Sequence, residues 1–132
     1  MRAFKLSFAA ALLLAGLIGL VGCIWIPGSF HRTDGQPRPE TTIGKAGSDK
    51  PLWIGRATRE KVLEVLGKPE QAIGDRSLIY HYSIETGGFF FICGFGLPTT
   101  AERFLRIDFD DQGVLRAHKV FQDLAAAQQA KL

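Results

Sequence analysis

Cysteine is scarce: two in 132 residues, Cys23 and Cys93, allow at most one bridge and no Cys-based zinc site. Also missing are a Gly-rich phosphate loop, a Gly-x-Ser-x-Gly elbow and a supported pair of spaced carboxylates, so the common nucleotide-binding and hydrolase chemistries have no foothold. Histidine is limited to His31, His81 and His118. A His81/His118 pair with Asp108 on the polar face of a sheet is the one constellation that could support acid-base work, and solvated histidines without a role explain the same residues more simply. Asp108, Asp110, Asp111 and Gly113 resemble the start of a calcium loop but lack its later bidentate Glu, and turn chemistry accounts for them. The expectation is therefore no catalytic residue, no metal and no cofactor.

The amino terminus carries the strongest pattern. Met1-Arg-Ala-Phe-Lys5 holds two cations and no acid, and Leu6 to Leu20 follows as an apolar Ala/Leu/Ile/Phe run broken only by Ser7, Gly16 and Gly19. As a helix these fifteen residues would reach about 22 Å, short of the roughly 30 Å hydrocarbon core, so a removable signal is a better reading than a permanent span. Leu20-Val21-Gly22-Cys23 then resembles the lipobox of bacterial lipoproteins. That resemblance implies cleavage between Gly22 and Cys23 and a diacylglycerol on the Cys23 thiol, a signal peptide over 1–22, and a membrane anchor. Ile24 stands where such proteins usually carry Asp when retained in the inner membrane, so the implied location is the outer membrane, facing the periplasm. Trp25, flanked by Ile24 and Ile26, suits a membrane interface.

Two of the 16 basic residues, Arg2 and Lys5, lie in the leader; the remaining 14 face 13 acidic residues, a formal charge of +1. Nucleic acid, which needs a clustered basic stripe, is not an expected partner. If Cys23 is thioether-linked, Cys93 has no partner within the chain. Within Phe91-Ile92-Cys93-Gly94-Phe95 it reads as a buried small hydrophobe, with an intermolecular disulfide as the alternative.

Residues 23–50 form the expected spacer: Gly, Pro, Ser, Thr and charges from Pro27 to Pro51 show neither the helical nor the strand period. As a random coil about 25 residues span about 30 Å. A short strand near Thr41 to Gly44 is weakly supported. The expected domain is 51–122. Thr58 is placed as an N-cap, Val62, Leu63, Val65 and Leu66 follow at helical spacing, Gly67 suits the helix end, and Pro69 blocks continuation. Leu78 to Ile84 alternates, with Leu78, Tyr80, Tyr82 and Ile84 on one face and Ile79, His81 and Ser83 on the other. Phe104 to Phe109 repeats the pattern, with Arg106 and Asp108 on its polar side, and Asp110 to Gly113 reads as a hairpin turn into Val114 to Phe121. Between the first and third strands, Gly87 to Gly96 is apolar on both faces and is expected as a strand of its own. The whole is an α+β fold, a short helix on one face of a three- to four-stranded antiparallel sheet. Residues 123–132 are a tail, a frayed helix or disordered.

The Gly55 to Pro69 helix with its Leu66-Gly67-Lys68-Pro69 ending, the Tyr80-His81-Tyr82 strand and the Leu105 to Val114 hairpin together resemble the SmpA/OmlA (BamE-like) family of small outer-membrane lipoproteins. The similarity covers residues 52–121. It implies a helix on a three-stranded antiparallel sheet and non-enzymatic work in outer-membrane assembly or envelope integrity, through protein and lipid contacts. The family's additional preceding helix has no counterpart, since Ser48 to Gly55 is short and contains Pro51. Phe89, Phe91 and Phe95 are the candidate interaction surface, exposed if one face of their strand is open and core if it is covered. The other reading of the chain is a periplasmic inhibitor or small-ligand-binding lipoprotein.

Overall fold

The computed structural model describes residues 24–27, 32–90 and 96–132. Period-2 alternation from Leu78 onward produces the longest elements, the fourteen-residue strands β5 (Ser77–Phe90) and β6 (Gly96–Phe109), paired as one antiparallel hairpin. Before them in the chain come β1 (Ile24–Pro27), a 3₁₀ turn (Pro39–Thr42), β2 (Ile43–Gly44), β3 (Leu52–Trp53), helix α1 (Arg59–Leu66) and β4 (Gln71–Ile73). After them come β7 (Leu115–Phe121) and helix α2 (Leu124–Gln129). The main sheet has the order β1-β5-β6-β7 with β4 also on β5, all antiparallel; β2 and β3 make a separate parallel pair. The class is α+β.

The expected alternation holds where it was sharpest. Leu78, Tyr80, Tyr82 and Ile84 are buried together with Leu105, Ile107, Phe109 and Leu115, while His81 is exposed. Val62 of α1, Leu52, Ile43 and Ala57 join the same cluster. Burying one such aliphatic side chain contributes about 1.5–3 kcal/mol, which is how an eight-residue helix, too short to persist alone, is retained. Thr58 caps α1, its side chain accepting from the Lys61 amide at 3.3 Å, and Gly67 ends it at φ +77°, a backbone conformation few other residues adopt. The Tyr80 hydroxyl donates to the Gly67 carbonyl at 3.1 Å, tying the helix end to β5. Its proton is held tightly, burial pushing the phenol up to about 12.

Three expectations need correction. Gly87 to Gly96 is not a separate strand: Gly87–Phe90 closes β5 and Gly96 opens β6, so the segment belongs to the far end of the β5–β6 hairpin. A register shift between Glu85 and Gly87 adds one residue to β5 there, the bulge that two adjoining glycines accommodate. Second, residues 32–50 are not a structureless spacer. Pro39 and Ile43 are buried, Arg32 bridges Ile84, and the Thr33 amide donates to the Ser83 carbonyl at 3.1 Å. Ile43 is a single apolar residue amid polar ones, so no period announces it; pairing with Leu52 brings it into the core.

The third correction concerns the tail. Asp123 caps α2, accepting from the Ala126 amide at 2.7 Å, and Ala127 is fully buried. It lies across the sheet face that Ser77, Ile79, Arg106 and Asp108 share by register, and Ile79 is accordingly 0% exposed. That face was expected to be polar and open at this end.

Candidate functional site

At the end of the hairpin distant from the turn at Asp110 to Gly113, four large apolar side chains, Trp25, Ile26, Phe89 and Leu97, reach solvent; Leu63 of α1 is the other exposed one among the described residues. Register places Trp25 opposite Phe89 and Phe89 opposite Leu97, and residues directly opposite one another share a face. The three form one row across β1, β5 and β6, exposed by 51%, 42% and 61%. On the reverse face Ile26, also exposed, lies opposite Gly88, which in turn faces Pro98. Of the expected surface, Phe89 is therefore exposed, whereas Phe91 and Phe95 lie outside the described residues, as do Cys93, His31, Gly22, Cys23 and the whole leader. Trp25 and Leu97 were missed as members of the surface. Pairing of β1 with β5, between residues some sixty positions apart, brings Trp25 beside Phe89, and the β5–β6 register brings Leu97 there.

The histidines do not meet. His81 is opposite Phe104, which is opposite Phe121; His118 is opposite Ile107, which is opposite Leu78. The two rings thus sit on opposite faces of the sheet, and Asp108 is engaged elsewhere. His81 stacks on Phe104 with ring centres 4.9 Å apart and contacts the Glu102 carboxylate through Nε2. The Ser83 hydroxyl donates to the same carboxylate at 2.8 Å. These two contacts, Ser83's first, hold the Glu102 carboxyl below its ordinary range. Although Ser, His and Glu are adjacent, the carboxylate stands between hydroxyl and imidazole. A nucleophile relay needs the imidazole in the middle.

Arg106 and Asp108 form the tightest polar unit. Nε of Arg106 donates to Oδ1 of Asp108 at 2.7 Å, Nη2 to Ser77 Oγ at 3.1 Å and to Asp108 Oδ2 at 3.4 Å, and Nη1 to the carbonyls of Ala127 and Gln128 at 2.8 and 3.1 Å. All five guanidinium donors are used. Two of them meet carbonyls in the last turn of α2, where cations are favoured. This cluster fastens α2 to the sheet and engages every guanidinium donor of Arg106.

A second polar group lies on the opposite face. The 3₁₀ turn delivers Glu40 to Tyr82 and His118, and Glu40 Oε2, the Tyr82 hydroxyl and His118 Nδ1 are buried atoms without a hydrogen-bond partner among the described residues. Burial raises the Tyr82 phenol, helped by Glu40, and lowers the His118 imidazole, which Glu40 opposes. Beside them opens a cavity of about 330 Å³ bordered by Arg38, Glu40, Tyr82 and Arg103. Sequence reading had no signal for this group, because its members come from three separated segments. Among the described residues, no three His, Cys, Asp or Glu side chains gather as a metal site, and no helix is long and apolar enough to cross a membrane. No family model, curated protein or solved structure matches the chain.

Proposed function

We propose that the chain is a lipoprotein of the cell envelope, anchored through Cys23, that acts as a non-enzymatic binding or assembly accessory. The observation that carries this reading is the continuity between the lipobox and the sheet: β1 begins at Ile24, the residue after Cys23, and pairs at once with Phe90 to Gly87 of β5. A domain whose first ordered strand follows the anchor directly is suited to work at a membrane surface. Ile24 favours the outer membrane facing the periplasm. Helix α1, whose Val62 joins the buried cluster and whose end is tied to β5 by the Tyr80 to Gly67 bond, supports kinship with SmpA/OmlA-like lipoproteins. Under that kinship the partner is an envelope protein.

The test is the mature chain itself. Mass spectrometry of protein extracted from membranes should find residue 23 at the amino terminus carrying a diacylglycerol thioether, and Cys23→Ser should abolish both cleavage and lipid. A chain retaining residues 1–22 with an unmodified thiol refutes the anchor. The cavity beside Tyr82, with its buried unpartnered hydroxyl, favours a second reading as a small-ligand-binding lipoprotein. Native mass spectrometry of the same extract would reveal the added mass of such a ligand.

A further inference from the structure

We infer that the β1–β5–β6 tip is a second, non-covalent membrane contact, in which Trp25, Phe89 and Leu97 lie in the headgroup and upper acyl region of the bilayer to which Cys23 is tethered; this rests on the anchor reading above. Three observations converge. The first is the row itself: an indole, a phenyl and an isobutyl group on adjacent strands, all exposed, where a soluble surface gains nothing from them.

The second is charge. No Asp, Glu, Lys or Arg lies between Glu85 and Glu102, nor between Lys5 and Arg32. The described part of the tip therefore offers nothing to a charged protein partner and pays no charge-burial cost at a lipid surface. The first charged side chains, at Arg32, Glu85, Glu102 and Arg103, come together at one level, since Arg32 bridges Ile84 and Glu85 lies opposite Thr100. From that level to the Phe90 and Gly96 pair the strands rise by about 20 Å, enough for the apolar row to enter an interface 5–10 Å deep while the charges remain in water.

The third is the adjacency of Cys23 to β1 in the sequence. Residue 23 adjoins β1, so its thiol is one residue from the strand and two from Trp25. Acyl chains on Cys23, buried in the bilayer, bring this end of the hairpin to the surface before any other part of the fold. Among the described residues no strand pairs with the outer edge of β1, and such an edge restricts the depth, because unpaired backbone groups are excluded from hydrocarbon but are hydrated among headgroups. Indole is enriched at that level.

Fluorescence quenching tests the contact at a position the tether does not dictate. Leu97 is far from Cys23 in sequence, so the full chain with Trp25→Phe, Trp53→Phe and Leu97→Trp reports on the hairpin rather than on the anchor. It is reconstituted in vesicles of phosphatidylethanolamine and phosphatidylglycerol containing lipid brominated near the glycerol. A matching chain with Gln112→Trp in place of Leu97→Trp marks the turn at the other end of the sheet. The expected result is about a twofold loss of emission at position 97 from brominated lipid and strong protection from aqueous acrylamide, with neither at position 112. Equal acrylamide quenching at both positions, with the protein still on the vesicles, overturns the proposal. So does shielding of position 97 in whole envelopes but not in lipid vesicles, which would assign the row to a protein. Lipidated Cys23 with an unquenched position 97 refutes the tip contact alone; unmodified Cys23 with quenching intact refutes the anchor alone.

Discussion

At the scale of single residues, Arg106 has the largest expected effect on stability. Its five bonds join Ser77, Asp108 and the end of α2 (Leu124–Gln129), and its side chain is 8% exposed. Arg106→Ala leaves the Asp108 carboxylate buried without its cation and should cost about 3 kcal/mol or more, read from the urea midpoint. Hydrogen exchange should show α2 losing protection along with it. Replacing both members, Arg106→Met with Asp108→Leu, should recover much of that loss, since the cost lies in the stranded charge; no recovery would mean that the bonds to α2 dominate.

His118 gives a pH dependence whose sign follows from burial. Its folded-state value lies below the ordinary 6.5, so as pH falls through 6.5 the unfolded chain takes up a proton that the folded chain refuses. Stability therefore drops on acidification, by no more than about 1.4 kcal/mol per pH unit for one proton, and by less here because the ring is only half-buried and Glu40 partly offsets the burial. His118→Gln should flatten the stability profile as pH falls through 6.5. An unchanged profile would place the acid sensitivity elsewhere. Glu102 acts in a lower window, its depressed carboxyl contributing above its ordinary 4.5 and losing that contribution as pH falls through its folded value.

At the scale of elements, what could be read from the chain depended on whether a segment carries its own period. Helix α1 (Arg59–Leu66) announces itself through Thr58, its apolar spacing and Gly67, and β5 through the Leu78 to Ile84 alternation. The segment 32–50 carries no such signal, because only Pro39 and Ile43 of its residues are buried and they do not recur at a helical or strand period. Its order comes from the sheet it covers: β5 is long, and β4, the Arg32 bridge and β1 successively occupy one edge of it. Ile43→Ala distinguishes the two pictures. A spacer residue would change stability by less than about 0.5 kcal/mol, whereas a side chain 7% exposed within the core should cost about 2 kcal/mol or more in urea unfolding. The candidate surface was legible to the same degree. Phe89 was visible as part of an aromatic run, but Trp25 and Leu97 become its neighbours only through register, which alternation within one strand cannot supply.

At the scale of the molecule, pairing of β1 with β5 alters the mechanical relation between the proposed anchor and the fold. A 25-residue coil before the domain would have let it stand about 30 Å from the bilayer. With Ile24 already in the sheet, the proposed anchor at Cys23 would hold the hairpin tip at the bilayer and leave the turn at Asp110 to Gly113 at the end of the sheet away from it. Inserting ten Gly/Ser residues between Cys23 and Ile24 separates two causes of membrane contact, since such a linker gives about 17 Å of freedom. If the tether alone presses the tip onto lipid, bromolipid quenching of tryptophan at position 97 should vanish in the extended chain. If Trp25, Phe89 and Leu97 have their own affinity for the interface, the tip remains at high effective concentration near the surface and quenching should persist, then disappear when Phe89→Ser is added. The exposure of all three side chains favours persistence, and the Phe89→Ser chain should unfold within about 0.5 kcal/mol of its parent, because that ring is 42% exposed and absent from the buried cluster.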